Sequence, residues 1–123
     1  MTIEWRYTDY PAAGVLSISG HLGVQAADRF GGAIGWVAER GTGPVILDLT
    51  ELKGWSAEGQ AAIAEAAVRL AAHDRPLELA AIPADGSLVP DADQRPIPVH
   101  PDLTAALAAH RVGADGRGGA AAG

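Results

Sequence analysis

The stretch VILDLTELKGWSAEGQAAIAEAAVRLAAH, Val45 to His73, joins a short apolar segment to a long alanine-rich one. Its first part, VILDL at residues 45–49, is apolar on both faces, which is typical of a central strand covered on both sides of a sheet. Residues 56–73 have the periodicity of a helix, and we interpret TELKGW, residues 50–55, as the turn between them. A strand, a turn and a helix in this order predict an α/β fold.

The helix is expected to bury one alanine-rich face against the sheet, because apolar residues recur three and four positions apart. This inward stripe consists of Ala61, Ile63, Ala64, Ala67, Val68 and Ala71.

Upstream of Val45 the sequence predicts a hairpin and a first helix. Residues 3–7 and 15–20 alternate between apolar and polar side chains, and the proline and glycine between them indicate a turn, so the two strands pair antiparallel. Residues 26–37 have helical spacing, and we interpret the glycines within them as positions of close packing on the sheet. These glycines are Gly31, Gly32 and Gly35.

Downstream of His73 the pattern predicts a strand at residues 77–83, a loop without helical period at 84–96 and an edge strand within 97–103. A closing helix follows at 101–110, and residues 111–123 lack the apolar content to fold, so we predict a disordered tail. The expected architecture is one domain, residues 1–110, with a mixed sheet of four to five strands and helices packed on it.

The composition of the chain argues against several classes of function. The chain of 123 residues has no cysteine, a single lysine and a formal net charge of −6. Such a balance argues against a nucleic-acid surface, and no apolar run is long enough to span a membrane. Because residues 1–10 lack a basic segment followed by an apolar one, we expect no signal peptide and a cytoplasmic location.

Catalytic constellations are weak. None of the four histidines has metal-ligand spacing, and the glycines of GTGPV, residues 41–45, precede a strand where a phosphate loop would open a helix. Asp48 and Glu51 have no evident partner for acid–base chemistry. We therefore predict no enzyme activity, no metal and no cofactor.

The start of the second helix is the exception. Ser56 is well placed as an N-cap, and Glu58 complements the positive end of the helix dipole. Capping does not explain Trp55 and Gly59, since Gln60 is a poor partner for a hydrophobic staple. An exposed aromatic beside a helix start is typical of a binding anchor, so we favour an interaction surface formed by residues 55–59 over a simple cap.

Four stretches in order resemble the STAS domain, the fold of anti-sigma factor antagonists and of the cytoplasmic tails of sulfate transporters. They are SGHLG at residues 19–23, VILDLTEL at 45–52, LELAAIP at 77–83 and HPDLTAALAAH at 100–110. The resemblance implies a regulatory protein-binding module whose partner is an anti-sigma factor, a GHKL-type serine kinase. The family helix between the last two strands is missing here or reduced to a turn.

The resemblance also implies a phosphorylation site, and this chain departs from it. In the family, the strand is followed by Asp-Ser-Ser-Gly or Asp-Thr-Ser-Gly at the helix start, and the kinase modifies the second residue. Laid on this chain from Asp48, these four positions fall on Ser56, Ala57, Glu58 and Gly59. Because Ala57 has no hydroxyl, the usual phosphate switch is absent at that position.

Three forms of regulation stay open at this point. The module binds its partner constitutively through Trp55, Ser56, Ala57, Glu58 and Gly59; or phosphorylation is shifted to Ser56 or Thr50; or Glu58 supplies a fixed charge. The alternative function is an accessory subunit of a lipid ABC transporter docked on its ATPase, or a small-ligand module. The sequence does not predict the oligomeric state.

Overall fold

The computed structural model describes residues 2–82, 91–92 and 95–115, and it contains a five-stranded mixed sheet with helices on both faces. This confirms the predicted α/β class. The sheet has the order β1 (Ile3–Asp9), β2 (Gly14–Leu22), β3 (Val45–Trp55), β4 (Leu77–Ala80) and β7 (Val99–His100). The other elements are a 3-10 turn (Val24–Ala26), α1 (Ala27–Ala38), α2 (Ala57–Ala71), α3 (Leu103–Asp115) and a separate ladder of β5 (Asp91–Ala92) with β6 (Arg95–Pro96).

The sheet topology brings the start of α2 next to the end of β2. Strands β1 and β2 form the predicted antiparallel hairpin, whereas β2, β3, β4 and β7 run parallel. Helices α1 and α2 cover one face through Phe30 and Leu70, and α3 covers part of the other through Ala106. In a parallel arrangement the carboxyl ends of the strands meet at one edge, which is where α2 begins.

Strand β3 is longer than predicted, and the predicted turn at residues 50–55 is wrong. The strand pairs with β2 as far as Trp55, which lies opposite Leu22. At two points β3 contains one residue more than β2 over the same span, between Asp48 and Glu51 and between Leu52 and Gly54. These bulges break the two-residue alternation by which a strand is recognised.

The buried face of α2 only partly matches the predicted stripe. Ile63 and Ala67 are buried as expected, but Ala61 and Ala71 are exposed and Val68 is 51% exposed. The residues that do face the core are Gly59, Ile63, Ala66, Ala67 and Leu70.

The α1 glycines do not pack on the sheet, so that expectation is also wrong. Gly31 and Gly35 lie beside the Arg69 side chain of α2, and Arg69 Nη1 donates to the carbonyl oxygen of Gly31 at 3.2 Å. A Cβ at Gly32 would meet no atom within 4 Å. The small residues of α1 therefore make room for a long side chain between two helices.

A single arginine fastens the helix layer to the sheet. Arg75, two residues before β4, is 1% exposed. Its guanidinium donates to the carbonyl oxygens of Val37, Arg40, Thr42 and Gly43 and to the Tyr7 hydroxyl. The C-terminal end of α1 is thereby joined to two strands of the sheet, a connection that the local sequence around HDRP did not indicate.

The carboxyl-terminal part follows the predicted order with different bounds. Strand β4 ends at Ala80, and β7 is the predicted edge strand. Helix α3 spans Leu103–Asp115, which is longer than the predicted helix at 101–110, and residues 116–123 lie outside the described residues. Within the predicted loop, 91–92 and 95–96 form a ladder, and 84–90 and 93–94 also lie outside the described residues.

Candidate functional site

A shallow depression of about 270 Å³ lies where α2 begins, at the carboxyl end of β3. We call it the helix-start surface, and it is lined by His21, Gly23, Val24, Gln25, Ser56 and Glu58. The chain supplies these residues from two segments, the end of β2 with its following turn and the first turn of α2. Parallel pairing of β2 with β3 brings the two segments together.

Ser56 is the N-cap of α2, as predicted. Its backbone is extended, and its Oγ accepts a hydrogen bond from the Gly59 amide at 3.2 Å. Its own amide donates to the carbonyl oxygen of Leu22 at 3.0 Å. The residue therefore satisfies one free amide of the helix and also holds the helix start against β2.

Glu58 carries a fixed negative charge on this surface. Its side chain is exposed in the first turn of α2. A hydrogen bond from its own backbone amide, and a second from the Ser56 hydroxyl, lower the pKa of this carboxyl below its usual value. The carboxylate is thus held ionised at neutral pH, where it complements the positive end of the helix dipole.

The positions considered for phosphorylation differ in their surroundings. Ala57 is the first residue of α2 and is exposed. The half-buried hydroxyl of Ser56 is engaged in the cap. Thr50 lies midway along β3, where its Oγ1 donates to Asp48 Oδ1 at 2.6 Å. Of the two hydroxyls, only that of Ser56 lies at the helix start.

Trp55 and Gly59 are positions of packing, and the expectation of an exposed Trp55 ring is wrong. Trp55 is 8% exposed and belongs to the main core cluster. Its indole Nε1 is buried without an acceptor among the described residues. Gly59 is buried as well. A Cβ at this position would overlap the carbonyl oxygen of Leu22, so the close approach of α2 to β2 requires glycine here. Neither residue offers a partner the anchor that the sequence suggested.

The exposed apolar contact on this surface is a residue that sequence reasoning missed. Val24, in the 3-10 turn after β2, is 70% exposed, the most exposed of the large apolar side chains that the structure describes. His21 lines the same depression, with its ring near Gly23. A usable signal was present in HLGVQ, a valine set in a turn between a buried strand and a helix.

Two of the histidines contact the same carboxylate at the edge of the sheet formed by β4 and β7. Nε2 of both His100 and His110 lies 2.8 Å from Oε1 of Glu78, a contact that ties β7 and α3 to β4. Within residues 2–82, 91–92 and 95–115, no cluster of histidine and carboxylate side chains is arranged to hold a metal ion. No helix in the same part of the chain is long and apolar enough to cross a membrane.

Comparison with protein families gives one clear match. The family model described as "Mlab, STAS domain" matches residues 5–89, which is more than half of the chain. The match includes β2, β3 and α2, and therefore every residue of the helix-start surface. No curated protein matches this chain.

Solved structures share the fold. An anti-sigma factor antagonist from Mycobacterium paratuberculosis has a TM-score of 0.74 and 23% identity, over 89% of this chain and 94% of that one. The anti-sigma factor antagonist SpoIIAA in its unphosphorylated form has a TM-score of 0.60 and 17% identity, over 89% and 97%. The murine anion transporter Slc26a9 has a TM-score of 0.68 and 17% identity over 85% of this chain, which spans only 18% of the transporter chain.

Proposed function

The chain belongs to the STAS family, and on this premise we propose that it is a non-catalytic regulatory module that binds a partner protein through the helix-start surface. The observation that carries the proposal is the exposed Val24 beside the ionised Glu58 in one depression. An apolar anchor next to a fixed charge suits a partner with an apolar pocket and a neighbouring basic side chain.

The partner class that we propose is an anti-sigma factor of the GHKL-type serine kinase class, and the proposed location is the cytoplasm. Support comes from the resemblance of the motifs and from the fold shared with two anti-sigma factor antagonists. The contacts of Ser56 and Gly59 with Leu22 hold the first turn of α2 in place, which supports its use as a binding surface. A preformed surface binds without the cost of ordering a loop.

Regulation at the usual position is proposed to be absent, since Ala57 has no hydroxyl. Ser56 is the better placed of the two remaining hydroxyls. A phosphate there would lie at a helix N-terminus, which favours it, but beside the Glu58 carboxylate, which opposes it. Constitutive binding therefore ranks first and a shifted site at Ser56 second.

Affinity capture from native cell extract, followed by mass spectrometry, tests the binding surface. Val24→Glu is expected to weaken partner capture about tenfold or more, as for a central interface residue. Val68→Glu is the matched control, because Val68 is a second exposed valine, on the outer face of α2. Equal capture by wild type and Val24→Glu would refute the proposed surface.

Incubation of the captured kinase with ATP tests the regulation. We expect no phosphate on wild type and one phosphate on Ala57→Ser by intact mass, with release of the complex. Ser56→Ala and Thr50→Ala serve as controls. If wild type is phosphorylated and Ser56→Ala is not, the switch has moved by one residue.

A second candidate function is an accessory subunit of a lipid ABC transporter that docks on the ATPase. The missing hydroxyl at Ala57 favours it, because a docked subunit needs no phosphate switch. The same capture experiment distinguishes the two functions. An ABC ATPase that binds wild type and Val68→Glu, in place of a kinase, would assign the chain to transport.

A further inference from the structure

The outer edge of β1 has the hydrogen-bonding pattern of a strand that lacks a neighbour. In the sheet order β1 is terminal, and no strand among the described residues pairs with its outer side. The Thr2 carbonyl accepts from His21, and Tyr10 exchanges hydrogen bonds with Ala13. Thr2 and Tyr10, which flank β1, therefore belong to hydrogen-bonded pairs. Because opposite residues in an antiparallel pair alternate between hydrogen-bonded and non-hydrogen-bonded, the even-numbered residues of β1 also bond to β2.

It follows that the odd-numbered residues direct their amides and carbonyls outward. Ile3, Trp5 and Tyr7 thus present a row of main-chain donors and acceptors along the open edge. Their side chains lie on the face covered by α1, where Ile3 is buried and Trp5 and Tyr7 are half-buried. An unpaired edge of this kind is a template for a further strand.

Opposite charges alternate on the other face of the same strand. Glu4 and Arg6 are both exposed, and they are two positions apart. Arg6 makes no ion pair within the part of the chain that the structure describes, and Glu4 meets only Arg29, at 4.0 Å between exposed side chains. Such exposed pairs contribute little to stability.

From this pattern we infer that β1 is a self-complementary dimerisation edge, which pairs antiparallel with β1 of a second copy around a two-fold axis at Trp5. Residues whose numbers sum to ten then lie opposite each other: Trp5 faces its own copy, Ile3 faces Tyr7, and Glu4 faces Arg6. The outward amides and carbonyls of Ile3, Trp5 and Tyr7 bond to one another. The charged pair occupies a non-bonded position, where opposed side chains come closest.

Charge favours this register over its two neighbours. A two-fold axis at Arg6 would place two arginines opposite each other, and an axis at Glu4 two glutamates, both of which are unfavourable. Charged residues on an edge strand commonly discourage pairing, whereas opposite charges placed directly across two strands attract each other. Here the order Glu4–Trp5–Arg6 makes the edge complementary to itself, as an isologous interface requires.

Aromatic side chains flank the proposed seam. Trp36 of α1 is 41% exposed, and its ring centroid lies 5.6 Å from that of Trp5 and 5.7 Å from that of Tyr7. Pairing through β1 would place these rings beside their copies. Large exposed aromatic rings next to an open edge are what a protein interface buries.

Sedimentation equilibrium of the purified chain tests the inference. Wild type is expected to dimerise at concentrations well below about 1 mM, the weak end of specific association. Arg6→Glu and Glu4→Arg each turn two attractive pairs into two repulsive ones and should weaken the dimer roughly tenfold. The double variant Glu4→Arg/Arg6→Glu, which has the composition of wild type, should restore it. The Trp5 and Tyr7 amides should show hydrogen-exchange protection that rises with concentration.

Each contrary outcome overturns the inference. A monomer at about 1 mM would remove the dimer. A dimer that tolerates both single reversals would place the contact elsewhere. Loss of the dimer in the single variants without recovery in the double variant would exclude this register. Thermal unfolding of all variants shows whether the monomer is intact, and Glu4 and Arg6 are exposed, so their exchange should leave the fold unchanged.

Discussion

Arg75 Nη1 donates to the main-chain carbonyl oxygen of Val37 at 2.8 Å, and this contact joins the segment just before β4 to the C-terminal end of α1. The last carbonyls of a helix lack partners within it, and they form the negative end of its dipole. The buried Arg75 guanidinium binds one of them, that of Val37, together with the carbonyls of Arg40, Thr42 and Gly43 in the loop that follows the helix, and it needs no carboxylate. The arginine thus acts as a C-terminal cap supplied from a distant part of the chain.

Replacement of this arginine should cost stability. Arg75→Met removes the donor to four main-chain carbonyls, buried or partly buried at these contacts, and we expect a loss of about 3 kcal/mol in the free energy of unfolding. Arg75→Lys should also destabilise, because one ammonium group cannot reach all of these acceptors. Urea unfolding followed by circular dichroism measures the effect. Arg69→Met, at an exposed arginine with one carbonyl partner, is the control and should cost less than about 1 kcal/mol.

Two glycines in helices should respond oppositely to alanine. Gly59→Ala introduces a methyl group against the Leu22 carbonyl, so it should destabilise the fold strongly or prevent folding. Gly32→Ala meets no atom and should raise the free energy of unfolding by up to about 1 kcal/mol, because alanine favours a helix. Thermal unfolding of the pair compares the sites. Tolerance of alanine at Gly59 would show that α2 is seated more loosely than described.

Acid should weaken the start of α2 through Glu58. Its lowered pKa means that the carboxylate stabilises the folded state above the unfolded pKa, and that this contribution is lost as pH falls through the folded pKa. A carbon-detected NMR titration of the Glu58 carboxyl reports the value directly. Ser56→Ala should raise the pKa part of the way, since the backbone amide still donates, and the lost cap should cost about 1 kcal/mol.

The comparison for this titration is Glu58→Gln, which should remove that part of the pH dependence of unfolding. An unchanged dependence would mean that another group produces it.

The indole of Trp55 is expected to matter for its volume and not for its hydrogen bond. Trp55→Phe removes the buried Nε1–H that lacks an acceptor, which offsets part of the lost packing, so the net change should be within about 1 kcal/mol. Trp55→Ala should cost about 3–5 kcal/mol. Denaturant unfolding of both variants separates the contribution of the indole's volume from that of its N–H group. A loss of partner binding in Trp55→Ala would therefore report a weakened fold, which is why Val24 is the sharper probe.

The order of elements could be predicted because each one carries a local signal. The hairpin alternates, residues 45–49 are apolar, and Ser56 has the chemistry of a cap. The full length of β3 could not be predicted. Two bulges break the two-residue alternation after Asp48, so residues 50–55 resemble a turn in the sequence.

The local chemistry of the helix start could be predicted from the sequence, but the burial of Trp55 could not. Ser56 and Glu58 act locally, so the helix start revealed them. The burial of Trp55 depends on its pairing with Leu22, a residue far away in sequence. The exposure of Val24 and the role of Arg75 likewise depend on which segments the sheet brings together.

Only Ser56 lies between the last residue of β3 and the first of α2. Binding surfaces commonly diversify through loops that gain or lose residues. This junction has no length to vary, because one inserted residue would turn the first helical residues away from the sheet. Descendants of this chain that acquire new partners are therefore expected to keep the junction length and to change side chains at Val24 and Glu58, or the length of the turn that follows β2.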